Sequence, residues 1–206
     1  MTKYLIDDIG VYIHHAQLRE FGEIVCGHQM THEIQKWNEW NNFNPSTTLL
    51  VFPGNGASIV RKFMDADWLV RWQTASATAM RKWNPGNAPM AIAGRVFPDR
   101  FVLGVKDVIV VDDVVSSGET ARKLQMVNMP WIPAARWHAV VWVKQRAANL
   151  RGFHSHYAAV EIGEPGRKEP VNSLSTLIEN EEIAKSYAKR NLPNPEAFHA
   201  LLKKLR

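Results

Sequence analysis

A run of four apolar, β-branched residues that ends in two aspartates constrains the fold of this chain more than any other feature. The run is Val108-Ile109-Val110-Val111, and Asp112 and Asp113 follow it directly. A β-branched run of this length is typical of a strand that is covered on both faces. Such strands belong to parallel sheets with helical crossovers. We therefore expect an α/β fold, a Rossmann-like parallel sheet flanked by helices.

Other segments supply the remaining elements of this sheet. The predicted strands share short apolar or aromatic runs between turn residues, and they cover residues 48–52, 68–72, 107–111, 137–143 and 157–162. Apolar residues at helical spacing predict a helix over residues 28–43, with Thr31 as a cap. Another helix is expected to begin near Thr120, and two short helices separated by prolines are expected in residues 174–206.

Composition places the chain among globular proteins of one domain. It has 206 residues, of which 46% are hydrophobic and 22% are charged, close to the average for such proteins. No apolar run approaches the roughly 20 residues of a membrane-spanning helix. Cys26 is the only cysteine, so no intrachain disulfide forms, and we expect a cytoplasmic, reduced protein.

The charge balance leaves several classes of partner open. Lys and Arg number 25 and Asp and Glu 20, which gives a net charge of +5. This excess suits a nucleic acid or an anionic small molecule, and it is also compatible with no acidic partner. Because there is no run of five basic residues, we consider nucleic acid unlikely.

The segment after the two aspartates carries the most specific chemistry. Its residues, Ser116-Ser117-Gly118-Glu119-Thr120, form a turn at the start of the predicted helix. Free backbone N–H groups, the helix dipole and the hydroxyls make such a turn a good site for an anion. Two carboxylates beside it would repel a phosphate unless they hold hydroxyl groups or a divalent cation. A ribose 5-phosphate unit with Mg²⁺ satisfies both requirements.

Residues 108–120 resemble the binding motif for phosphoribosyl pyrophosphate (PRPP) of the type I phosphoribosyltransferases. That motif is an apolar strand, two acids, two apolar residues, two small hydroxylic residues, glycine, any residue and threonine, and all these positions fit. The resemblance implies one domain over residues 1–206 with a core of about 48–162. The flanking segments 1–47 and 163–206 would then form a small hood that binds the base.

The resemblance also implies roles for individual residues. Asp112 and Asp113 would contact the ribose 2- and 3-hydroxyls, directly or through Mg²⁺. The residues that would hold the 5-phosphate are Ser116, Ser117, Gly118, Glu119 and Thr120. The structural alternative is a plain strand-to-helix turn with Ser117 as its cap and two solvated acids.

A second loop, after the strand at 48–52, corresponds to the pyrophosphate loop of the family. It consists of Pro53, Gly54, Asn55 and Gly56, and the glycines permit a close backbone approach to a leaving group. Pro53 and Asn55 depart from the commoner family versions, which place a basic residue before paired small residues. The alternative is an ordinary Asn-Gly turn.

The long segment 74–98 corresponds to the mobile loop that closes over PRPP in the family. Arg81, Lys82 and Trp83 lie in it. As catalytic residues, Arg81 and Lys82 would neutralise pyrophosphate as it leaves. The alternative is a solvated surface loop without a role in catalysis.

The resemblance implies an enzyme that transfers ribose 5-phosphate from PRPP to a ring nitrogen of a nucleobase-like acceptor. The transfer would depend on Mg²⁺ and belong to nucleotide salvage, and the enzyme would be a homodimer. We assign no general base, because Ser116 stands where some purine enzymes of the family place an acid. The alternative is a non-catalytic regulator that senses PRPP or a nucleotide and binds RNA or DNA. A ribose-phosphate diphosphokinase is disfavoured by the short chain. The identity of the base stays open.

Overall fold

The computed structural model describes residues 2–77, 79–81, 90–92 and 104–205, with residues 79–81 and 90–92 described by their backbone. The strands in these ranges are β1 (Tyr4–Asp7), β2 (Glu23–Cys26), β3 (Thr48–Pro53), β4 (Gln73–Ala77), β5 (Ala79–Arg81), β6 (Met90–Ile92), β7 (Asp107–Val115), β8 (Arg136–Gln145), β9 (Ser155–Ile162) and β10 (Val171–Ser173). The α-helices there are α1 (His15–Leu18), α2 (Gly27–Gln35), α3 (Gly54–Phe63), α4 (Ala66–Leu69), α5 (Glu119–Asn128), α6 (Leu174–Glu179), α7 (Glu181–Asn191) and α8 (Pro195–Lys204). Two 3₁₀ helices cover Tyr12–His14 and Asn38–Asn42. None of the described helices is long and apolar enough to cross a membrane.

The chain forms two compact units. The central unit is Thr31–Gly166, and the terminal unit combines Met1–Met30 with Arg167–Arg206. The single domain over residues 1–206 stays a prediction.

The central unit is built on a parallel sheet of five strands in the order β4-β3-β7-β8-β9. Helices cover both faces. On one face, Leu124 of α5 packs with Val108 and Val110 of β7. On the other, Trp142 of β8 donates a hydrogen bond to the Thr31 hydroxyl (3.0 Å) and meets the ring of Phe63 edge to face. A parallel sheet flanked by helices confirms the predicted fold class.

The terminal unit has its own sheet and its own apolar core. Its three parallel strands have the order β10-β1-β2. Buried side chains of β1, α1 and the three C-terminal helices form the core, among them Leu5, Leu18, Leu174, Leu177, Phe198 and Leu202. The buried Asp7 carboxylate accepts hydrogen bonds from the Gly10 and Val11 amides and lies 2.6 Å from the His15 ring. It therefore fixes the segment that follows β1.

The strand predicted at residues 68–72 is wrong. Residues Ala66–Leu69 form α4, and the second strand of the sheet begins only at Gln73. The Asp65 carboxylate caps α4 by accepting a hydrogen bond from the Trp68 amide (2.7 Å). Trp68 and Trp72 then both contact Trp40. The spacing of Trp68 and Trp72 thus brings both rings against Trp40 in one aromatic cluster. The apolar run alone does not predict this cluster.

Two helix predictions also need correction. The helix expected over 28–43 ends at Gln35 and a 3₁₀ helix follows, because Trp37 has an extended backbone. Thr31 lies inside α2 and binds Trp142, so it is not the cap. The C-terminal segment has three helices instead of two, because Asn180 caps a new helix with its side chain.

A buried polar network holds the amino ends of the central strands together. Asp107, which is 3% exposed, forms two hydrogen bonds with Arg136 (2.8 and 3.0 Å) and lies 3.1 Å from the ring of His138. His138 in turn bonds Ser155, which donates to Glu39. Burial lowers the pKa of His138, and Asp107 opposes this shift. The network joins β7, β8 and β9 at the end of the sheet opposite the predicted site.

Asp107→Ala should lower the free energy of unfolding by about 2–3 kcal/mol, because it leaves the buried His138 and the Arg136 guanidinium without their carboxylate. Urea unfolding at pH 7 measures this change. Asp67→Ala, on the exposed surface of α4, is the control and should stay within about 0.5 kcal/mol of the parent. Equal unfolding midpoints for the two variants would contradict the structural role of Asp107.

Candidate functional site

The predicted site residues lie after two strands that are neighbours in the central sheet. β3 pairs with β7 in parallel, with Leu50 opposite Ile109. The carboxyl ends of both strands therefore meet at one edge, and each leads into a helix of 10 residues, α3 and α5. Ligands of open parallel sheets bind at this edge.

β7 extends further than the sequence predicts. It continues through both aspartates to Val115, pairing Asp112 with Val141 and Val115 with Lys144 of β8. Asp112 lines the cavity at the turn after β7, and the carboxylate of Asp113 lies against Gly56 of α3. The two carboxyl groups nevertheless lie close enough to share a hydrogen bond.

The Asp112 carboxyl group is nearly enclosed by protein. Its residue is 7% exposed, and its Oδ1 accepts a hydrogen bond from the Asp113 amide (3.0 Å). Burial raises the pKa of this carboxyl well above its usual value, and the charge and the side-chain hydrogen bond of Asp113 add to the shift, whereas the hydrogen bond from the Asp113 amide opposes it. A cation beside it would favour the ionised form again.

The turn at residues 116–118 ends in a left-handed glycine. Gly118 has φ 77° and is the N-cap of α5, and the Ser117 hydroxyl accepts a hydrogen bond from the Glu119 amide (3.3 Å). A cavity of about 270 Å³, including its opening to solvent, is lined here by Asp112, Val114, Val115, Ser116, Ser117, Gly118, Glu119, Thr120 and Ala121. Its hydroxyls and the backbone N–H groups at the start of α5 suit a phosphate group.

Asn149 supports the turn, although no local sequence pattern predicts this contact. Its backbone N–H donates a hydrogen bond to the Ser117 backbone carbonyl (3.2 Å). A Cβ at Gly118 would collide with the Asn149 carbonyl oxygen and lie 2.9 Å from its carbon. The loop after β8 therefore presses directly on the turn. This contact joins residues far apart in sequence, which is why the motif alone does not predict it.

The predicted pyrophosphate loop is the start of a helix. Pro53 is the last residue of β3 and the N-cap of α3, so Gly54, Asn55 and Gly56 form the first helical turn. Gly54 has φ 74°, and its carbonyl accepts a hydrogen bond from the Ser58 hydroxyl (2.9 Å). The backbone N–H groups of a first helical turn lack partners within the helix, so this junction also favours an anion.

The basic residues near the site have different positions. Arg81 is described by its backbone as the last residue of β5, and Lys82 and Trp83 lie outside the described residues. Arg61 stands over the Phe52 ring and donates to the hydroxyl groups of Thr74 and Ser76. It therefore connects α3 to β4.

The carboxylate groups at the site are of the kind that binds Mg²⁺. Within the described ranges, no group of three or more His, Cys, Asp and Glu side chains is placed to hold a metal ion. Asp112 and Asp113 nevertheless supply carboxylate oxygens, the ligands that Mg²⁺ prefers, and Mg²⁺ commonly takes its remaining ligands from water and substrate phosphates. The site thus suits an ion that arrives with a phosphorylated substrate.

Comparison with known proteins finds likeness in structure alone. No family model and no curated protein matches the sequence. A hypothetical protein from Neisseria gonorrhoeae, solved with bound ppGpp, is similar over 100% of this chain and 99% of its own, with 11% identity and a TM-score of 0.50. A xanthine-guanine-hypoxanthine phosphoribosyltransferase from Helicobacter pylori covers 71% of this chain and 86% of its own (14% identity, TM-score 0.46). A purine phosphoribosyltransferase from Pyrococcus horikoshii covers 70% and 87% (14% identity, TM-score 0.48). At these identities the likeness concerns the fold.

Gly118→Ala should destabilise the protein by at least about 2 kcal/mol, because it adds a collision with the Asn149 backbone to the strain of a left-handed conformation. Chemical unfolding measures the loss. Gly166→Ala is a matched control, since Gly166 has a similar φ (82°) with nothing within 4 Å of an added Cβ. The control should lose only about 1 kcal/mol. Equal losses in the two variants would show that the turn does not press on Asn149.

Proposed function

We propose that this protein is a phosphoribosyltransferase that moves the ribose 5-phosphate of PRPP onto a ring nitrogen of a nucleobase or related heterocycle and releases pyrophosphate. One observation carries the proposal. The first turns of α3 and α5 open at the same edge of the sheet, and Asp112 and Asp113 stand at the end of the strand between them. The two helix starts favour anions and therefore match the monophosphate and the pyrophosphate of the substrate. The two carboxylates beside them match its ribose hydroxyls.

The 5-phosphate would bind in the turn before α5. There the backbone N–H groups and the hydroxyls of Ser116, Ser117 and Thr120 supply donors, and the α5 dipole favours the negative charge. Glu119 would contribute its backbone N–H in exchange for its hydrogen bond to the Ser117 hydroxyl, because its side chain forms an ion pair with Lys123 (2.7 Å). Gly118 lets the backbone make this turn.

The aspartates would orient the ribose through its hydroxyl groups. Bound Mg²⁺ would supply positive charge for the pyrophosphate oxygens. For that ion, Asp112 and Asp113 are the carboxylate ligands at the site, directly or through water. A cation at this position would also offset the cost of keeping the Asp112 carboxylate ionised in its buried surroundings.

Departure of pyrophosphate would leave positive charge on the ribose ring. The protein therefore acts mainly by positioning both reactants and by stabilising the leaving group. The backbone N–H groups of Gly54, Asn55 and Gly56 would receive pyrophosphate, and Arg81 and Lys82 would neutralise its charge. We assign no general base for the acceptor, and Ser116 does not serve as one.

The double substitution Asp112→Asn with Asp113→Asn should abolish Mg²⁺-dependent PRPP binding and leave the protein folded. Two lost charge-assisted contacts correspond to an affinity loss of at least about 100-fold. Titration calorimetry with PRPP and Mg²⁺ measures the affinity, and circular dichroism checks the fold. Asp67→Asn, on exposed α4, is the control and should bind PRPP like the parent. Unchanged PRPP affinity in the folded double variant would refute the proposed site.

A second candidate is a regulator that binds PRPP or a nucleotide, together with RNA or DNA, without catalysis. The Neisseria protein favours it, because that structure shares the fold over its full length and contains ppGpp. The net charge of +5 is also compatible with a nucleic acid. Fold alone does not choose between catalysis and sensing.

Pyrophosphate release separates the two candidates. We expect the protein to release pyrophosphate from PRPP with Mg²⁺ and at least one base in a panel of purines, pyrimidines and nicotinate-like heterocycles. The matched control is the Asp112→Asn/Asp113→Asn protein with the same base. No release with any base, together with tight ppGpp binding or salt-dependent RNA or DNA binding, would instead support the regulator.

The nucleobase-like acceptor, the homodimer and the cytoplasmic location stay predictions.

A further inference from the structure

The two aspartates at the end of β7 have different surroundings, although the motif treats them as a pair. Asp112 lines the cavity of the 5-phosphate turn together with Ser116 and Thr120. The carboxyl group of Asp113 instead lies against the first turn of α3. A Cβ on Gly56 would overlap all three heavy atoms of that carboxyl group, so no other residue fits at position 56 without moving Asp113.

The position of Asp113 suits the start of a helix. The N-cap of α3 is Pro53, which makes no side-chain hydrogen bond to the helix. The first turn of a helix has amide groups without intrahelical partners and the positive end of the dipole. A carboxylate beside Gly56 would therefore favour this turn electrostatically from a neighbouring strand.

Asp113 is itself held firmly to β7. Its Oδ1 accepts a hydrogen bond from the Val114 amide (2.7 Å). At the other end of α3, the Phe63 ring meets Trp142 of β8 edge to face, with 5.4 Å between ring centroids. The far end of the helix is thus packed against the sheet, and its first turn lies against the Asp113 carboxyl group at Gly56.

We propose that Asp113 is a positioning residue that fixes the first turn of α3, the proposed pyrophosphate-binding segment, whereas Asp112 is the carboxylate that contacts the ribose. This inference rests on the proposed function for its ligands, but its structural part stands without it. It replaces the equal roles that the motif implies for the two acids. It also gives the glycine at position 56 a role, because the Asp113 carboxyl group occupies the space that a side chain would take there.

A double-mutant cycle tests the contact independently of any ligand. Gly56→Ala should lower the urea midpoint strongly in the parent protein, because the new methyl group collides with Asp113. In an Asp113→Ala background the same change should lower it much less, since the colliding group is gone. Gly166→Ala in both backgrounds is the control and should show no coupling. If Asp113→Ala does not fold, Asp113→Ser removes the same carboxyl group and completes the cycle.

Ligand binding tests the division of roles. Without Mg²⁺, Asp113→Ala should weaken the binding of pyrophosphate by about tenfold, the equivalent of one lost positioning contact, and weaken the binding of ribose 5-phosphate much less. Under the same conditions Asp112→Asn should weaken the binding of ribose 5-phosphate more than that of pyrophosphate. Leaving out Mg²⁺ separates the positioning of α3 from the loss of a metal ligand. A merely structural role for Asp113 would weaken both ligands equally.

The outcomes are distinguishable. Additive midpoint changes in the cycle, or equal losses for pyrophosphate and ribose 5-phosphate, would overturn the role of Asp113. If the parent protein binds neither ligand while the cycle shows coupling, the proposed function fails and the pyrophosphate-binding role of α3 fails with it, and only the contact between Asp113 and Gly56 stands.

Discussion

Burial of β7 on both faces is the constraint on which the central unit depends. Its residues Val108–Val111 are at most 1% exposed and lie between β3 and β8. Because successive side chains point to opposite faces, a shift of one residue would exchange the two faces of the strand. It would also move Asp112 and Asp113 away from their places beside the turn and α3. Packing of four apolar side chains thus fixes where the two carboxylates stand.

Close backbone approach then shapes the edge of the sheet. Gly118 leaves room for the Asn149 carbonyl, and Gly56 leaves room for the Asp113 carboxylate. Both glycines lie at the start of a helix, so the contacts set the position of two helix dipoles relative to the strand between them. The arrangement keeps Asp112 in surroundings that oppose its charge. Such unfavourable electrostatics are common where a ligand or ion completes the site.

The strands and the turn could be predicted from the sequence because their signals are local. The β-branched run at 108–111 and the small residues at 116–118 determine backbone shape over a few residues. The predicted strand at residues 68–72 is wrong because the spacing of Trp68 and Trp72 reflects their contacts with Trp40, which lies in a distant segment. Likewise, residues 53–56 look like a turn in sequence, but they begin a helix whose N-terminal turn lies against Asp113 of another strand.

Local sequence patterns predict the α/β class, the buried central strand and the acidic and hydroxylic residues that follow it. They do so because strand propensity, helix starts and turn chemistry act between residues close in the chain. Tertiary packing places Asp112 beside the turn at residues 116–118, Asp113 beside α3 and Asn149 beside Gly118. These outcomes depend on contacts between segments that are brought together by the packing of the sheet, and no local pattern encodes such contacts.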